Sequence, residues 1–240
     1  MLSRYLNCSS DDLVLMTNPS YAINTVVKSL PLKAGDEVLS TNLEYGALVE
    51  TWKTVCKEKN AKFVEQSIKF PIKNKTDFLE KFWRGCNENT KAIFISHITS
   101  ATAIKLPVEE ICKEANKRGL ISIIDGAHAP GQINLDLLNI KPTIYVGACH
   151  KWMLSPKGAS FLFANKKSQR WLKPLIISWG SIKEYRKNKS AFIDEHQTNG
   201  TRDLSALLTV SKCIDFMERN NWRMESFNCA KITLEFAQNL

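Results

Sequence analysis

Residues 143–158 have the sequence TIYVGACHKWMLSPKG. The first half is a run of β-branched, aromatic and small residues, which predicts a buried strand. The strand ends at His150 and Lys151, and the Ser-Pro-Lys-Gly segment that follows predicts a turn. Lysine is seldom buried without a partner. A lysine at the end of a core strand therefore suggests a functional group held beside a sheet.

Similar strands recur along the sequence and alternate with amphipathic stretches. In one stretch, PVEEICKEANKRG, the apolar side chains share one face, which predicts a helix that ends at Gly119. Seven strands are predicted, at residues 13–16, 37–40, 61–65, 92–96, 121–125, 143–147 and 160–164. Such alternation is typical of a mostly parallel sheet covered by helices on both faces. We therefore expect an α/β fold with three layers, α/β/α.

The composition limits the class of protein. The chain has 240 residues, of which 44% are hydrophobic and 24% charged, as in ordinary globular domains. It contains no run of about 18 apolar residues and no secretory signal pattern, so we expect a cytoplasmic protein without a membrane span. The seven cysteines are scattered and form no Cys-x-x-Cys pair, which predicts reduced, mostly buried thiols.

The net charge of +9 raises the question of an anionic partner. The densest basic segment, SIKEYRKNKS at residues 181–190, contains Lys183, Arg186, Lys187 and Lys189. It has one aromatic residue and matches no nucleic-acid-binding motif. We interpret it as a solvated loop and expect no nucleic acid partner.

Polar residues collect where predicted strands end. In an open parallel sheet, ligands bind beyond the carboxyl ends of the strands. The residues at such ends are His97, Asp125, His128, His150 and Lys151. Each alone has a structural explanation, such as a buried histidine, a helix cap or a lysine whose head reaches solvent. Their common location is what favours a site.

The start of the chain offers an anion-binding element. Strand LVLM leads into TNPSYAINTVV, in which Asn18 suits a helix N-cap and Pro19 the first helical position. Ser20 follows in the first turn. The free N–H groups of this turn would face the edge of the sheet and could hold a phosphate.

These elements together match one cofactor. A partly desolvated lysine forms a Schiff base with an aldehyde. A carboxylate pairs with a protonated pyridine nitrogen, an imidazole stacks on a ring, and a helix N-terminus holds a phosphate. Pyridoxal 5'-phosphate needs all four.

The sequence resembles the class V branch of the fold-type I pyridoxal-phosphate enzymes, specifically the isopenicillin N epimerase-like group, which is related to cysteine desulfurases. The resemblance runs from about residue 11 to the end of the chain. It rests on six motifs in the family's order: TNPSYAINTVV, GDEVLSTNLEYGA, SHITSATAIKLPV, IIDGAHAPGQ, HKWMLSPKGASFLF and NGTRDLSALL.

The resemblance implies specific roles around the cofactor ring. Lys151 would form the Schiff base, and Asp125 would pair with the pyridine nitrogen. His97 would stack on the ring, and His128 would approach the phenolic oxygen. With Lys151, Asp125 and His97 as catalytic residues, it implies an enzyme that acts on an amino acid or a related amine.

The resemblance also implies how the phosphate is bound. Ser20, the backbone around Asn18, and His150 would hold the phosphate of the same chain. Thr201 in NGTRD would reach the phosphate of a neighbouring subunit, so a homodimer is expected. No metal is implied.

The extent of the resemblance predicts the domain organisation. Residues 1–220 would form the cofactor-binding large domain, and residues 221–240 would begin the helix that leads to a small C-terminal domain outside this sequence. That domain normally supplies an arginine for the substrate carboxylate, and an N-terminal segment also belongs to the family. We therefore expect this chain to be a fragment of the family's full length.

Several functions remain open at this point. Epimerisation, transamination and carbon–sulfur cleavage share this machinery, and the bond that breaks is undetermined. Cys149 is a candidate desulfurase nucleophile, although a buried structural thiol is the favoured interpretation. One alternative is a metal-dependent hydrolase that uses Asp125, His128, His97 and His150 as ligands. The other is a truncated, non-catalytic cofactor-binding subunit.

Overall fold

The computed structural model describes residues 1–187 and 190–239. Its centre is a seven-stranded sheet with the order β1-β7-β6-β5-β4-β2-β3. The strands are β1 (Leu13–Met16), β2 (Glu37–Thr41), β3 (Lys62–Gln66), β4 (Thr90–Ser96), β5 (Ile121–Gly126), β6 (Ile144–Ala148) and β7 (Ser160–Ala164). All seven lie within two residues of their predicted positions. The expected α/β fold with a mostly parallel sheet is confirmed.

The direction of the strands brings six carboxyl ends to one edge. Strands β2 to β6 pair in parallel, whereas β7 is antiparallel to both β6 and β1. Because β1 is antiparallel to β7, it runs in the same direction as β6. The loops that follow β1, β2, β4, β5 and β6 therefore leave the sheet at the same edge, which is where ligands bind in such folds.

Helices cover both faces of the sheet. They are α1 (Leu2–Tyr5), α2 (Pro19–Ser29), α3 (Gly46–Glu58), α4 (Lys75–Trp83), α5 (Val108–Lys117), α6 (Leu137–Ile140), α7 (Ala191–Gln197), α8 (Ser205–Arg219) and α9 (Trp222–Gln238). Apolar residues of α2, α3 and α7 pack on one side, here called the α2 face. Those of α1, α4, α5, α6 and α8 pack on the other, the α5 face. The apolar stripe predicted for α5 is buried as expected.

The last helix differs from the others because none of its residues is buried. It follows α8 after Asn221, whose φ is 49°. Its first residue, Trp222, donates from Nε1 to the carbonyl of Gly131 at 2.8 Å. The boundary expected between residues 220 and 221 falls at this break, and the division into two domains stays a prediction.

The cysteines are less buried than the sequence predicted. All seven are free, but only Cys56, Cys112 and Cys149 are buried, so the expectation of mostly buried thiols was wrong.

The basic segment at residues 181–190 contains one ion pair among its described residues, between Arg186 and Glu195, while Lys189 lies outside the described residues. Across the described part of the chain, no helix has the length and apolar character needed to cross a bilayer.

Candidate active site

A pocket of about 200 Å³ lies on the α2 face at the carboxyl edge of the sheet. Loops after five strands and the start of α2 contribute to its wall. Six of the predicted site residues line it: Asn18, Ser20, Asp125, His128, His150 and Lys151. The remaining two, His97 and Thr201, do not. The structure thus brings together side chains that are as far apart in sequence as residues 18 and 151.

The N-terminus of α2 faces this pocket, as its sequence predicts. Asn18 is the N-cap, and its side-chain oxygen accepts from the N–H of Tyr21 at 2.8 Å. Pro19 occupies the first helical turn, where a backbone N–H would have no partner within the helix, so the absence of one from proline costs no hydrogen bond. The cap uses one of the free N–H groups at this end, and the rest of the turn, including Ser20, lies at the pocket wall.

Lys151 lies in the loop after β6, three residues past the end of the strand, and next to His128 in the loop after β5. The Nζ atom of Lys151 is 2.9 Å from Nε2 of His128. On the other side of the same imidazole ring, Nε1 of Trp152 is 3.3 Å from Nδ1. Partial burial lowers the pKa of Lys151, and the nearby charge of Asp125 partly offsets this effect. A lysine with a lowered pKa is a better nucleophile near neutral pH.

Asp125 lies at the end of β5 with its side chain on the α2 face. It is buried, and one carboxylate oxygen accepts from the N–H of Ala127 at 2.9 Å. Burial raises the pKa of Asp125, while the bond to Ala127 and the charge of Lys151 act in the opposite direction. A carboxylate with so little solvation favours a cationic partner placed in the pocket.

His150 presents only one ring nitrogen to a ligand. Its Nδ1 lies 2.8 Å from the carbonyl oxygen of Ala159. A carbonyl only accepts, so Nδ1 carries a proton and donates. The remaining nitrogen, Nε2, can donate to an anion only when the ring is an imidazolium.

His97 does not lie where the resemblance implies. In β4, Ser96 pairs with Asp125 of β5, and both side chains are on the α2 face. His97 follows by one residue, so its side chain is on the α5 face, where Nδ1 is 2.8 Å from the hydroxyl of Tyr145. It is 3% exposed, and burial lowers its pKa to about 3. The stacking role implied for His97 does not fit this position.

The aromatic side chain that does line the pocket is Tyr45. It is the N-cap of α3, follows the loop after β2, and is 46% exposed. The sequence contained a signal for it, because the polar TNLEYGA segment directly follows a buried strand. Tyr45 was not among the residues predicted from the sequence, because an exposed tyrosine before a helix is also typical of an ordinary surface loop.

Beside Tyr45, the carboxylate of Glu44 ties the end of β2 to the end of β4. It accepts from the hydroxyl of Thr41 at 2.7 Å, and from the N–H and the hydroxyl of Ser96 at 2.7 and 2.6 Å. Burial raises the pKa of Glu44 to about 7 in spite of these bonds, and the charge of Asp125 raises it further. Glu44 therefore fixes the strand end next to Asp125.

A larger cavity, of about 340 Å³, lies on the α5 face between α4 and the start of α5. His97 is part of its wall, and two of the charged side chains that line it, Lys75 and Glu110, are paired with each other. It lacks the combination of a desolvated lysine and a buried carboxylate. The smaller pocket is therefore the candidate active site.

The side chains that the metal-dependent hydrolase alternative needs as ligands do not come together in this structure. Among residues 1–187 and 190–239, no group of three or more His, Cys, Asp or Glu side chains is placed to hold a metal ion. His97 lies on the face opposite to Asp125 and is bonded to Tyr145. Cys149 is also unsuited to nucleophilic chemistry, because it is buried and its pKa is raised by burial to about 12.

Solved structures with the same architecture define the class of fold. The structure of the cystine C-S lyase C-DES in complex with cysteine persulfide superimposes with a TM-score of 0.82 at 18% sequence identity. The match covers 91% of this chain and 59% of the lyase. Apo cysteine desulfurase from Thermococcus onnurineus NA1 gives a TM-score of 0.79 at 19% identity, over 92% and 55% of the two chains.

The family follows from the sequence comparison. The family model described as Aminotransferase class-V matches residues 2–236, and the chain belongs to this family, as the resemblance indicated. Isopenicillin N epimerase from Amycolatopsis lactamdurans is 31% identical over 228 residues, which cover 90% of this chain and 57% of the epimerase. Hercynylcysteine sulfoxide lyase from Schizosaccharomyces pombe is 24% identical, over 90% and 55%. The chain spans a little over half the length of these relatives.

Proposed function

We propose that this chain forms the cofactor-binding part of a pyridoxal-phosphate enzyme that acts on an amino acid or a related amine. The observation that carries the proposal is the meeting of Lys151, buried Asp125 and the N-terminus of α2 at one pocket. A nucleophilic amine, a buried carboxylate and an anion-binding helix end match the aldehyde, the pyridine nitrogen and the phosphate of this cofactor. The family and the epimerase, desulfurase and lyase relatives support the same conclusion.

Each residue has a chemical task in this proposal. Lys151 would hold the aldehyde of the cofactor and would move a proton to or from the substrate carbon. Asp125 would stabilise a proton on the pyridine nitrogen, and Tyr45, which lines the same pocket, would contact the ring. When bound, pyridoxal phosphate withdraws electrons from the bonds at the substrate's α-carbon.

The phosphate and the phenolic oxygen have separate binding groups. The first turn of α2, with Asn18 and Ser20, supplies N–H and hydroxyl donors to the phosphate, and His150 adds one donor from Nε2. His128 approaches the phenolic oxygen from the side of Lys151. These assignments leave no charged group of the pocket without a use.

Covalent trapping tests the proposal. Protein equilibrated with pyridoxal phosphate is reduced with borohydride and digested, and the modified peptide is identified by mass spectrometry. We expect one cofactor mass per chain on Lys151. The matched control is Lys157→Ala, which removes a lysine six residues away and should leave the adduct intact, whereas Lys151→Ala should remove it. A folded, cofactor-saturated protein with no adduct on Lys151 would refute the proposal.

The type of reaction is tested on protein loaded with pyridoxal phosphate and not treated with borohydride. We expect the loaded protein to exchange the α-proton of at least one amino acid with solvent deuterium, since epimerisation and transamination both pass through loss of this proton. If sulfur or pyruvate is released from cysteine without exchange in other amino acids, the lyase type is supported instead. Loading without any turnover would favour the non-catalytic cofactor-binding subunit.

A homodimer is part of the proposed function. Thr201 is exposed in the segment between α7 and α8 and does not line the pocket of its own chain, which leaves it available to a second subunit. Gly180 packs against Thr198 at the start of this segment, and Ile177, three residues before Gly180, is 84% exposed. Sedimentation velocity at micromolar concentration should give the mass of two chains. Ile177→Asp should shift it towards one chain, and a monomeric wild type would contradict the dimer.

A further inference from the structure

The imidazole of His128 lies between two side chains from one loop. Nε2 is 2.9 Å from Nζ of Lys151, and Nδ1 is 3.3 Å from Nε1 of Trp152. An indole nitrogen carries a hydrogen and has no lone pair to accept with, so Trp152 can only donate. Nδ1 of His128 must therefore be the unprotonated, accepting nitrogen.

The tautomer of His128 follows from this contact. Burial lowers the pKa of His128, which favours the neutral ring. A neutral ring has one proton, and with Nδ1 unprotonated that proton is on Nε2. Nε2–H then donates to Nζ of Lys151, and Nζ accepts through its lone pair. The contact thus selects the free amine, which is the form that reacts with an aldehyde.

The backbone holds the two loops in register for this contact. Gly131 has φ of 87°, and a Cβ there would lie 2.2 Å from the carbonyl oxygen of Trp152, so the loops are in close backbone contact. The N–H of Gly131 donates to the hydroxyl of Tyr5 at 3.0 Å, and its carbonyl accepts from Trp222 at 2.8 Å. Helices from both ends of the chain therefore fix the loop that carries His128.

We propose that Trp152 is a positioning residue that holds His128 as the Nε2–H tautomer and so keeps Lys151 as a free amine. The inference rests on the proposed function for its purpose, but its test needs no cofactor. The other ionisable groups among the described residues that line the pocket are Asp125, which favours the ammonium form of Lys151, His150 and Tyr45. The bond from His128 opposes the effect of Asp125.

The first test reads the tautomer directly. The ¹⁵N chemical shifts of histidine-labelled protein without cofactor distinguish Nε2–H, Nδ1–H and imidazolium rings, and His128→Gln identifies the signals of this residue. We expect the Nε2–H form for the wild type at pH 8, and a mixture of both tautomers for Trp152→Phe. An Nδ1–H ring in the wild type would overturn the proposal without any need for the variant to fold.

The second test reads the amine. The rate of reductive methylation of Lys151 is followed against pH by mass spectrometry in the cofactor-free protein. Trp152→Phe should move the midpoint upwards, with about tenfold slower reaction below it, the effect of losing one well-formed hydrogen bond. Trp83→Phe, which alters a tryptophan on α4 beside Arg118, is the matched control and should not change the rate.

A double variant separates positioning from packing. In a His128→Gln background the amide supplies its own N–H donor and needs no choice of tautomer. Adding Trp152→Phe there should leave the reactivity of Lys151 unchanged, and an undiminished effect would overturn the proposal. If the protein fails to bind pyridoxal phosphate, the proposed function falls, while these measurements on Trp152 keep their meaning.

Discussion

The ring of His97 is buried on the α5 face, and its stability contribution depends on pH. Its pKa is lowered by burial from 6.5 to about 3, so the unfolded chain takes up a proton on acidification that the folded protein refuses. The contribution is fully present above pH 6.5 and is lost as the pH falls from there towards 3. The hydroxyl of Tyr145, whose pKa is raised by burial, stays protonated throughout.

Replacement of His97 tests this dependence. His97→Gln keeps a polar partner for Tyr145 but does not titrate. Between pH 7.5 and 5, the free energy of unfolding of the wild type should fall by about 2 kcal/mol more than that of the variant, from about 1.4 kcal/mol for each pH unit below 6.5. Urea denaturation at both pH values measures the difference. Parallel losses in the two proteins would show that His97 titrates normally.

Among the helices, α2 and α4 begin in the same way but face different surroundings. Asn18 caps α2 by accepting from Tyr21, and Asn74 caps α4 by accepting from Asp77 at 2.9 Å. Both helices follow strands whose carboxyl ends share one edge, but only the start of α2 lines the pocket with Asp125 and Lys151, whereas the start of α4 lines the cavity on the α5 face. The N-terminus of α2 is therefore specialised by its place in the sheet.

This pair of caps gives a matched experiment. Asn18→Ala and Asn74→Ala should each lower the free energy of unfolding by about 1 kcal/mol, the usual effect of losing such a cap. Only Asn18→Ala should also weaken binding of pyridoxal phosphate, because it loosens the turn that meets the phosphate. Equilibrium titration followed by absorbance measures this affinity. Equal affinities in the two variants would place the phosphate elsewhere.

The pairing of β5 with β6 depends on a missing side chain. Gly126 lies beside Tyr145, and a Cβ at this glycine would be 2.2 Å from the ring. The absence of a side chain thus allows Tyr145 to reach His97 across β5.

Gly126→Ala should therefore destabilise the protein by about 1–3 kcal/mol through overpacking. It should also disturb the ring of His97, which can be followed by its NMR signals. Gly46→Ala is the control, because nothing lies within 4 Å of a Cβ at that position and the first turn of α3 favours alanine over glycine. If Gly126→Ala is as stable as this control, the close contact between Gly126 and the ring of Tyr145 does not limit the side chain at position 126.

Across the whole molecule, burial is very uneven. Strands β5 and β6 are buried along almost their full length, between helices on both faces. Helix α9 has no buried residue, although Trp222 at its start is bonded to Gly131. Such a helix has little tertiary packing to stabilise it, and packing of an apolar face supplies most of the stability of helices in proteins.

Hydrogen exchange should report this difference. In the 240-residue chain, amides of β5 and β6 should exchange only on global unfolding, whereas those of α9 should exchange faster by orders of magnitude. Mass spectrometry of peptic peptides measures both regions at once. Protection of α9 equal to that of β5 would indicate that it packs against a surface absent from a single chain, and its dependence on protein concentration would identify that surface as a second copy.

The sequence by itself was sufficient to predict the features that depend on residues close together along the chain. Strand positions, the stripe of α5, the cap at Asn18 and the location of Asp125 and Lys151 at strand ends all depend on neighbours a few residues away, and each was predictable. Since parallel strands share a carboxyl edge, a common pocket for Asp125 and Lys151 followed as well.

The remaining features required the folded chain. Successive side chains of a strand alternate between faces, so the one-residue step from Ser96 to His97 moves the ring away from Asp125, and only the register of β4 on β5 shows which residue faces the pocket. Trp152 and His128 are 24 residues apart, and their contact exists because two loops meet at Gly131. Contacts of this kind depend on distances between elements, which no local pattern encodes.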